Sequence, residues 1–333
     1  MAPTRIGLVL GDPAGVGPEI AAKLLKRNWD RDDLRFIVIG TEAVLAGGAR
    51  VAGIDLDLET IRQGAPIPQN TREPLLMTID ETDLDDIPEG KASRAAGLFA
   101  LRSLQAAVEA AKARQIDAIV YAPLNKHAMS LAGFDEIDEM HYLARLFECR
   151  HFCSELNVLD KLWTVRATSH VPLGEVAGKL TTDLIIDATR LGVSTMARAG
   201  LSNPRVAVAG LNPHAGDGGT IGQEDIDIIQ PAVEALKREG MNIRGPISPD
   251  TVMMVAYRGA FDLVVTMYHD QGQIALKALG FERVVTMLGG LPVPAITASS
   301  GSAYDITGQN LASPDGMLSA CELARRLTEP VLV

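Results

Sequence analysis

Polar and apolar positions along this chain alternate in blocks. Short runs of consecutive apolar residues are followed by longer stretches whose apolar positions recur three and four apart. The first pattern reads as buried strands and the second as amphipathic helices, so their alternation predicts a βαβ series. Runs at 5–10, 35–40, 118–122, 162–168, 205–210, 262–267 and 283–287 predict strands. Segments 18–26, 92–114, 182–199, 224–239 and 315–327 predict helices. Pro18 suits a first helical position, where its missing N–H is no loss, and Thr181, Thr182 and Asp183 can cap the helix that begins there. Segment 71–91 is the least regular, and its DETDLDD stretch reads as a solvated acidic loop. The expected architecture is α/β with a largely parallel sheet.

Length adds that 333 residues make one large or two medium domains. A net charge of −11 argues against nucleic acid or an anionic membrane surface as a partner, since both select basic patches. No apolar run approaches the ~18 residues of a spanning helix, and no export signal precedes Ile6, so a cytoplasmic protein is expected. Three cysteines are too few for a disulfide framework and fit a reducing compartment. Cys149, His151 and Cys153 resemble half a zinc site, but nothing completes it, and one helix face is the simpler reading.

Ligands of α/β proteins gather at strand carboxyl ends. Of six histidines, three fall at or just beyond such ends: His170 after LWTVRATS, His214 after RVAVAGLNP, and His269 after DLVVTMY. Each alone reads as a hydrogen-bonded histidine. Three together point to a shared divalent metal with a coordination position left open. The small-residue turn of LNPHAGDGG (211–219) can present N–H groups to an anion, which makes Asn212, Gly216, Gly218 and Gly219 candidates for cofactor binding. GDPAGVGPE (11–19) lacks the G-x-G-x-x-G spacing, so a Rossmann loop is not supported; its glycines serve either a turn or close approach to a ligand. Asp250 and Asp270 are candidates for metal support or proton transfer, with helix starts as the plainer alternative. Lys126 and Lys277 can bind an anionic substrate or be solvated surface charges.

GDPAGVGPE (11–19), APLNK (122–126), LNPHAGDGG (211–219), YHDQG (268–272) and GSAYDITG (301–308), in this order and spacing, resemble the 4-hydroxythreonine-4-phosphate dehydrogenase (PdxA) family over nearly the whole chain. The resemblance implies a two-domain isocitrate/isopropylmalate-dehydrogenase-like fold with the active-site cleft between domains, approximately 1–125 plus 290–333 and 126–289. It implies a homodimer whose site draws on both subunits. It also implies NAD- or NADP-dependent oxidation of a β-hydroxy acid followed by loss of CO₂. The family's metal histidines fall on His170, His214 and His269, its aspartates on Asp250 and Asp270, and its substrate lysine on Lys277. Three imidazoles accept zinc, cobalt or nickel, with magnesium and manganese also considered.

The departures bear on the substrate. Where members carry Gly-His-Thr-Glu this chain has Met140-His141-Tyr142-Leu143, so His141 is kept and Tyr142 replaces the threonine. The phosphate-contacting Asn and Arg positions fall on Thr286 and Ala295, and Ser299-Ser300 stands for the usual Asp-His. Loss of a bidentate arginine weakens phosphate recognition. The substrate expected is therefore a different β-hydroxy acid, such as a four-carbon sugar-acid phosphate or a cyclic cis-dihydrodiol carboxylate, rather than 4-phosphohydroxy-L-threonine. Two other readings compete: a metal-dependent hydrolase or lyase using the same histidines without nucleotide, and a non-catalytic two-lobed binding protein.

Overall fold

The computed structural model describes residues 3–68, 73–81 and 87–329. Most of the acidic DETDLDD stretch, 82–86, lies outside the described residues. The chain forms two compact units, 1–149 with 291–329, and 150–290. In chain order the first contributes β1 (Thr4–Val9), α1 (Gly17–Asn28), β2 (Leu34–Gly40), α2 (Glu42–Ala52), β3 (Glu59–Arg62), β4 (Leu75–Thr78), α3 (Arg94–Lys112), β5 (Ala118–Tyr121), α4 (Lys126–Leu131) and α5 (Glu139–Leu146). The second holds β6 (Ser154–Leu159), β7 (Leu162–Arg166), α6 (Val176–Lys179), α7 (Thr182–Arg198), β8 (Val206–Ala209), α8 (Gln230–Arg238), β9 (Ile243–Ile247), α9 (Pro249–Tyr257), β10 (Leu263–Thr266), α10 (His269–Gly280) and β11 (Val285–Gly289). The chain then returns to the first unit with β12 (Ala295–Ala298) and α11 (Asp315–Thr328).

Strands of the first unit run in the order β3-β4-β2-β1-β5-β12, every pair parallel. Sheets covered on both faces need no polar alternation, and all seven positions of β2 are buried, as its LRFIVIG run requires. Strands of the second unit run β11-β6-β7-β10-β8-β9. There β7, β10, β8 and β9 are parallel, whereas β6 pairs antiparallel with both β7 and β11. Among the described residues no helix is long and apolar enough to cross a membrane.

Three differences from the sequence reading have local causes. Helix α2, absent from the predicted helices, carries Gly47 and Gly48; a Cβ at Gly48 would lie 2.3 Å from the Pro18 carbonyl oxygen, so glycine is what lets α1 and α2 pack this closely. The helix expected over 224–239 begins as a π-helical turn, Asp225–Ile229, before α8, because Pro231 has no N–H to continue the α-helical ladder back into that segment. Segment 126–149, expected in the second domain, belongs to the first unit. Ala128 packs with Ala14 and Ala96, and Tyr142 of α5 aims its hydroxyl at the Leu101 carbonyl of α3.

Candidate metal and nucleotide sites

In the second unit β10 lies between β7 and β8, parallel to both. His170, His269 and His214 follow the carboxyl ends of these three neighbouring strands. The His170 and His269 rings face each other with centroids 5.6 Å apart and planes inclined by 37°. The three imidazoles together do not form a group with every ligand atom within 4.8 Å of the others among the described residues. The structure thus pairs His170 with His269 and brings His214 to the neighbouring strand end.

Backbone strain marks two of the three. His170 has φ +50° and His214 φ +54°, in the left-handed region that few residues other than glycine enter, Asn, Asp and His more often than the rest. Ala215 and Asp217 share it at +54° and +45°. Such conformations persist only where surrounding contacts enforce them. Around His214 those contacts are visible. Asp225, fully buried, accepts the N–H groups of Leu211 (2.9 Å) and Asn212 (3.1 Å). The Asn212 amide donates to Glu224 and Asp225 at 2.8 and 2.9 Å. Asn212, expected to bind cofactor, therefore directs its donors inward. Gly216 is buried in the same turn, and the Gly219 carbonyl accepts from Gln223.

His269 opens α10, and its Nδ1 lies 2.7 Å from Asp270 Oδ1. A carboxylate only accepts, so Nδ1 carries the proton and Nε2 presents its lone pair. Burial holds this imidazole below its ordinary pKa; the Arg166 and His170 charges act in the same direction, against the Asp270 hydrogen bond. Arg166 pairs with Glu155 in a buried ion pair beside the histidines. A neutral, oriented imidazole facing a second one is the donor chemistry that a divalent cation selects.

Among the other expected residues, Asp250 is the second residue of α9 and accepts the Ser248 hydroxyl at 2.6 Å. Lys277 lies two turns beyond His269 on α10, exposed, with Nζ 5.7 Å from the Phe281 ring centre. The Thr286 hydroxyl accepts from Asn157 at 2.8 Å, and Asn157 in turn accepts from Gln273 at 2.9 Å. His151 directs Nε2 to the Gly290 carbonyl at 2.5 Å.

In the first unit His141 Nδ1 lies 2.6 Å from Asp138, which also caps α5 by accepting the His141 N–H. Tyr142 is 8% exposed, edge-on to Phe134 with Arg145 over its ring, so it is part of the packing of α5. Ala295 is fully buried at the start of β12. Lys126 begins α4 and stands 3.9 Å from Glu139.

Three of the motif loops converge in this unit. Gly11 has φ +75°, and a Cβ there would lie 2.6 Å from the Pro123 carbonyl oxygen. Asp12 accepts the Ala14 N–H and the Tyr304 hydroxyl, and Val16 donates its N–H to the Ser302 carbonyl. Asn125 caps α4 and donates to the Ser302 hydroxyl. Beside this junction opens a cavity of about 450 Å³ lined in part by Gly15, Glu19, Thr41, Arg50, Glu89 and Thr307. Sequence reasoning missed it, along with Asp138, Asp225 and Gln271; the length of the Gly-rich GDPAGVGPE loop was the one available signal.

Two α/β units with interrupted connectivity define the fold of the isocitrate dehydrogenase type. Isocitrate dehydrogenase from Methylococcus capsulatus shares it at TM-score 0.51 and 15% identity, covering 96% of this chain and 84% of that one. The family profile described as "Pyridoxal phosphate biosynthetic protein PdxA" matches residues 32–324. The chain belongs to the PdxA family, and it is an oxidoreductase of the dehydrogenase type. A Rhizobium meliloti protein named "Putative 4-hydroxythreonine-4-phosphate dehydrogenase 2" is 43% identical over 97% of this chain and 93% of its own length. A D-threonate 4-phosphate dehydrogenase from Cupriavidus necator is 38% identical over 96% and 97%. Among solved structures, a 4-hydroxythreonine-4-phosphate dehydrogenase from Klebsiella pneumoniae has TM-score 0.80 and 33% identity, covering 98% of this chain and all of that one. A terephthalate 1,2-cis-dihydrodiol dehydrogenase from Burkholderia xenovorans has TM-score 0.67 and 28% identity, with 99% of both chains covered.

Proposed function

We propose that this protein is a divalent-metal- and NAD(P)-dependent dehydrogenase that oxidises the secondary alcohol of a β-hydroxy acid and releases CO₂. The observation that carries the reading is the facing pair of His170 and His269 at adjacent strand ends in a chain of this family. His170, His214 and His269 would hold the ion, for which imidazole donors favour zinc, cobalt or nickel over magnesium or manganese. Bound there, the ion would supply Lewis-acid polarisation of a substrate oxygen, and a bound nucleotide would supply the hydride acceptor.

The chain's own residues do the rest. Asp270 fixes the His269 tautomer and so acts as an orienting group. That leaves Asp250 and Lys277 to move the proton that carbon needs after CO₂ departs, with Lys277 also able to hold the substrate's carboxylate. Gly15, Thr41, Arg50 and Thr307 would hold part of the nucleotide at the cavity of the first unit, whose volume is about 450 Å³. In this reading Asn212, Gly216, Gly218 and Gly219 support His214 and do not hold the cofactor.

The substrate is a β-hydroxy acid other than 4-phosphohydroxy-L-threonine. Thr286 offers a hydroxyl already engaged by Asn157, and Ala295 offers no cation, so neither supplies the grip of Asn and Arg. A four-carbon sugar-acid phosphate and a cyclic cis-dihydrodiol carboxylate are the two classes in keeping with the substrates named for the relatives. A homodimer is proposed too. Met254, Tyr257, Ile274 and Phe281, between 43% and 68% exposed, give α9, α10 and the turn after it an apolar surface suited to a second copy.

The test combines purified protein, each divalent metal, NAD or NADP, and these three acids, following reduced-nucleotide absorbance and released CO₂. Metal-dependent nucleotide reduction coupled to CO₂ supports the reading. Turnover without nucleotide would make it a hydrolase or lyase, and ligand binding without turnover a binding protein.

A further inference from the structure

Gln271, the third residue of α10, uses both ends of its side chain. Its Oε1 accepts the Met267 N–H at 2.7 Å, and its Nε2 donates to the Gly210 carbonyl at 2.8 Å. The first bond is local: it satisfies the N–H of Met267, one residue before the N-cap of α10. The second joins the turn after β10 to the residue after β8, 61 positions earlier. A glutamate would serve the first bond equally well. Only glutamine also supplies a donor for the second.

Gly210 is held from its other side as well, where its N–H donates to the Ile247 carbonyl at 2.7 Å. From Gly210 the chain passes through Leu211 and Asn212, both tied to Asp225, into the left-handed stretch that carries His214. The local preference of His214 and Ala215 opposes this conformation by about 1–2 kcal/mol each, so the loop depends on its anchors. Gln271 is the anchor that also belongs to the His269 turn.

We propose that Gln271 is a positioning residue that sets His214 relative to His269, so that the two can serve one cation with His170. The inference rests on the metal reading above. The test uses the full-length protein freed of metal, cobalt(II) as the probe, and the variants Gln271→Glu and His214→Ala. Gln271→Glu keeps the acceptor for Met267 but turns a carboxylate toward the Gly210 carbonyl.

Cobalt affinity should fall about 10–100-fold, the range for outer-shell partners of metal ligands, and the visible cobalt bands should change. The metal-free variant should stay folded, its thermal midpoint lowered only as far as the loss of one hydrogen bond requires. Hydrogen exchange at amides 211–216 should quicken. Unchanged cobalt affinity and bands in Gln271→Glu, with both impaired in His214→Ala, would overturn the role of Gln271 alone. Unchanged cobalt binding in both variants would overturn the metal reading and this role with it. A loss of affinity fully matched by unfolding of the metal-free variant would make Gln271 merely structural, and would also overturn the proposal.

Discussion

The Tyr304 hydroxyl donates to Asp12 Oδ2 at 2.5 Å, joining residues 292 apart in sequence. This bond ties the loop after β1 to the segment after β12, two segments whose Gly15 and Thr307 line the cavity proposed for the nucleotide. Burial raises the Asp12 pKa above the ordinary carboxylate value, while the Tyr304 and Ala14 hydrogen bonds pull it back. Tyr304→Phe removes a donor from a buried carboxylate, and hydrogen bonds to charged groups contribute roughly 1.5–3 kcal/mol. The variant should lose about that much stability at neutral pH in urea unfolding. The raised folded pKa means that ionisation of Asp12 opposes folding, so stability is gained as pH falls through that pKa. The deficit of the variant should therefore shrink on acidification. A deficit that grows as pH falls would contradict this assignment.

Asp262 behaves in the opposite sense. Hydrogen bonds from the Arg205 side chain hold its pKa below the ordinary value, and its carboxylate also accepts the Arg205 N–H at the entrance to β8. A depressed folded pKa gives stability that is present above the unfolded value and lost as pH falls through the folded one. Asp262→Asn should lower the melting temperature near neutrality, and the gap to the parent protein should close below about pH 4. Melting curves across that range would decide it, and a gap that persists at the acid end would sink the argument.

Thr286 tests whether a position expected to contact substrate also holds the fold. Its hydroxyl accepts from Asn157, which is 3% exposed. Thr286→Val keeps the shape but strands a buried amide donor, for roughly 1–3 kcal/mol of lost stability. Thr286→Ser should recover most of it. Equal melting temperatures for the valine and serine variants would show that the bond contributes nothing.

His170→Ala should remove one of the facing imidazoles without emptying the core, because the residue is exposed. Metal affinity should fall by more than about a hundredfold, beyond the effect of losing an outer-shell partner, with turnover falling alongside it. Isothermal titration with zinc or cobalt measures this directly. Retention of full metal content would remove His170 from the site.

The sequence by itself determined the alternation of strands and helices, the apolar runs of β1, β2 and β5, and three histidines just past strand ends. It also carried the family motifs. These are legible because periodicity and turn chemistry act over a few residues. Tertiary structure alone decided that β7, β10 and β8 are neighbours, which sets His170 against His269. It also decided that Tyr142 packs into α5 and α3, that Asn157 meets Thr286 across 129 positions, and that Gln271 reaches Gly210. Strand order follows from how crossover helices cover a sheet, and a hydrogen bond between distant residues exists only once that order is set. No local window of sequence contains either fact.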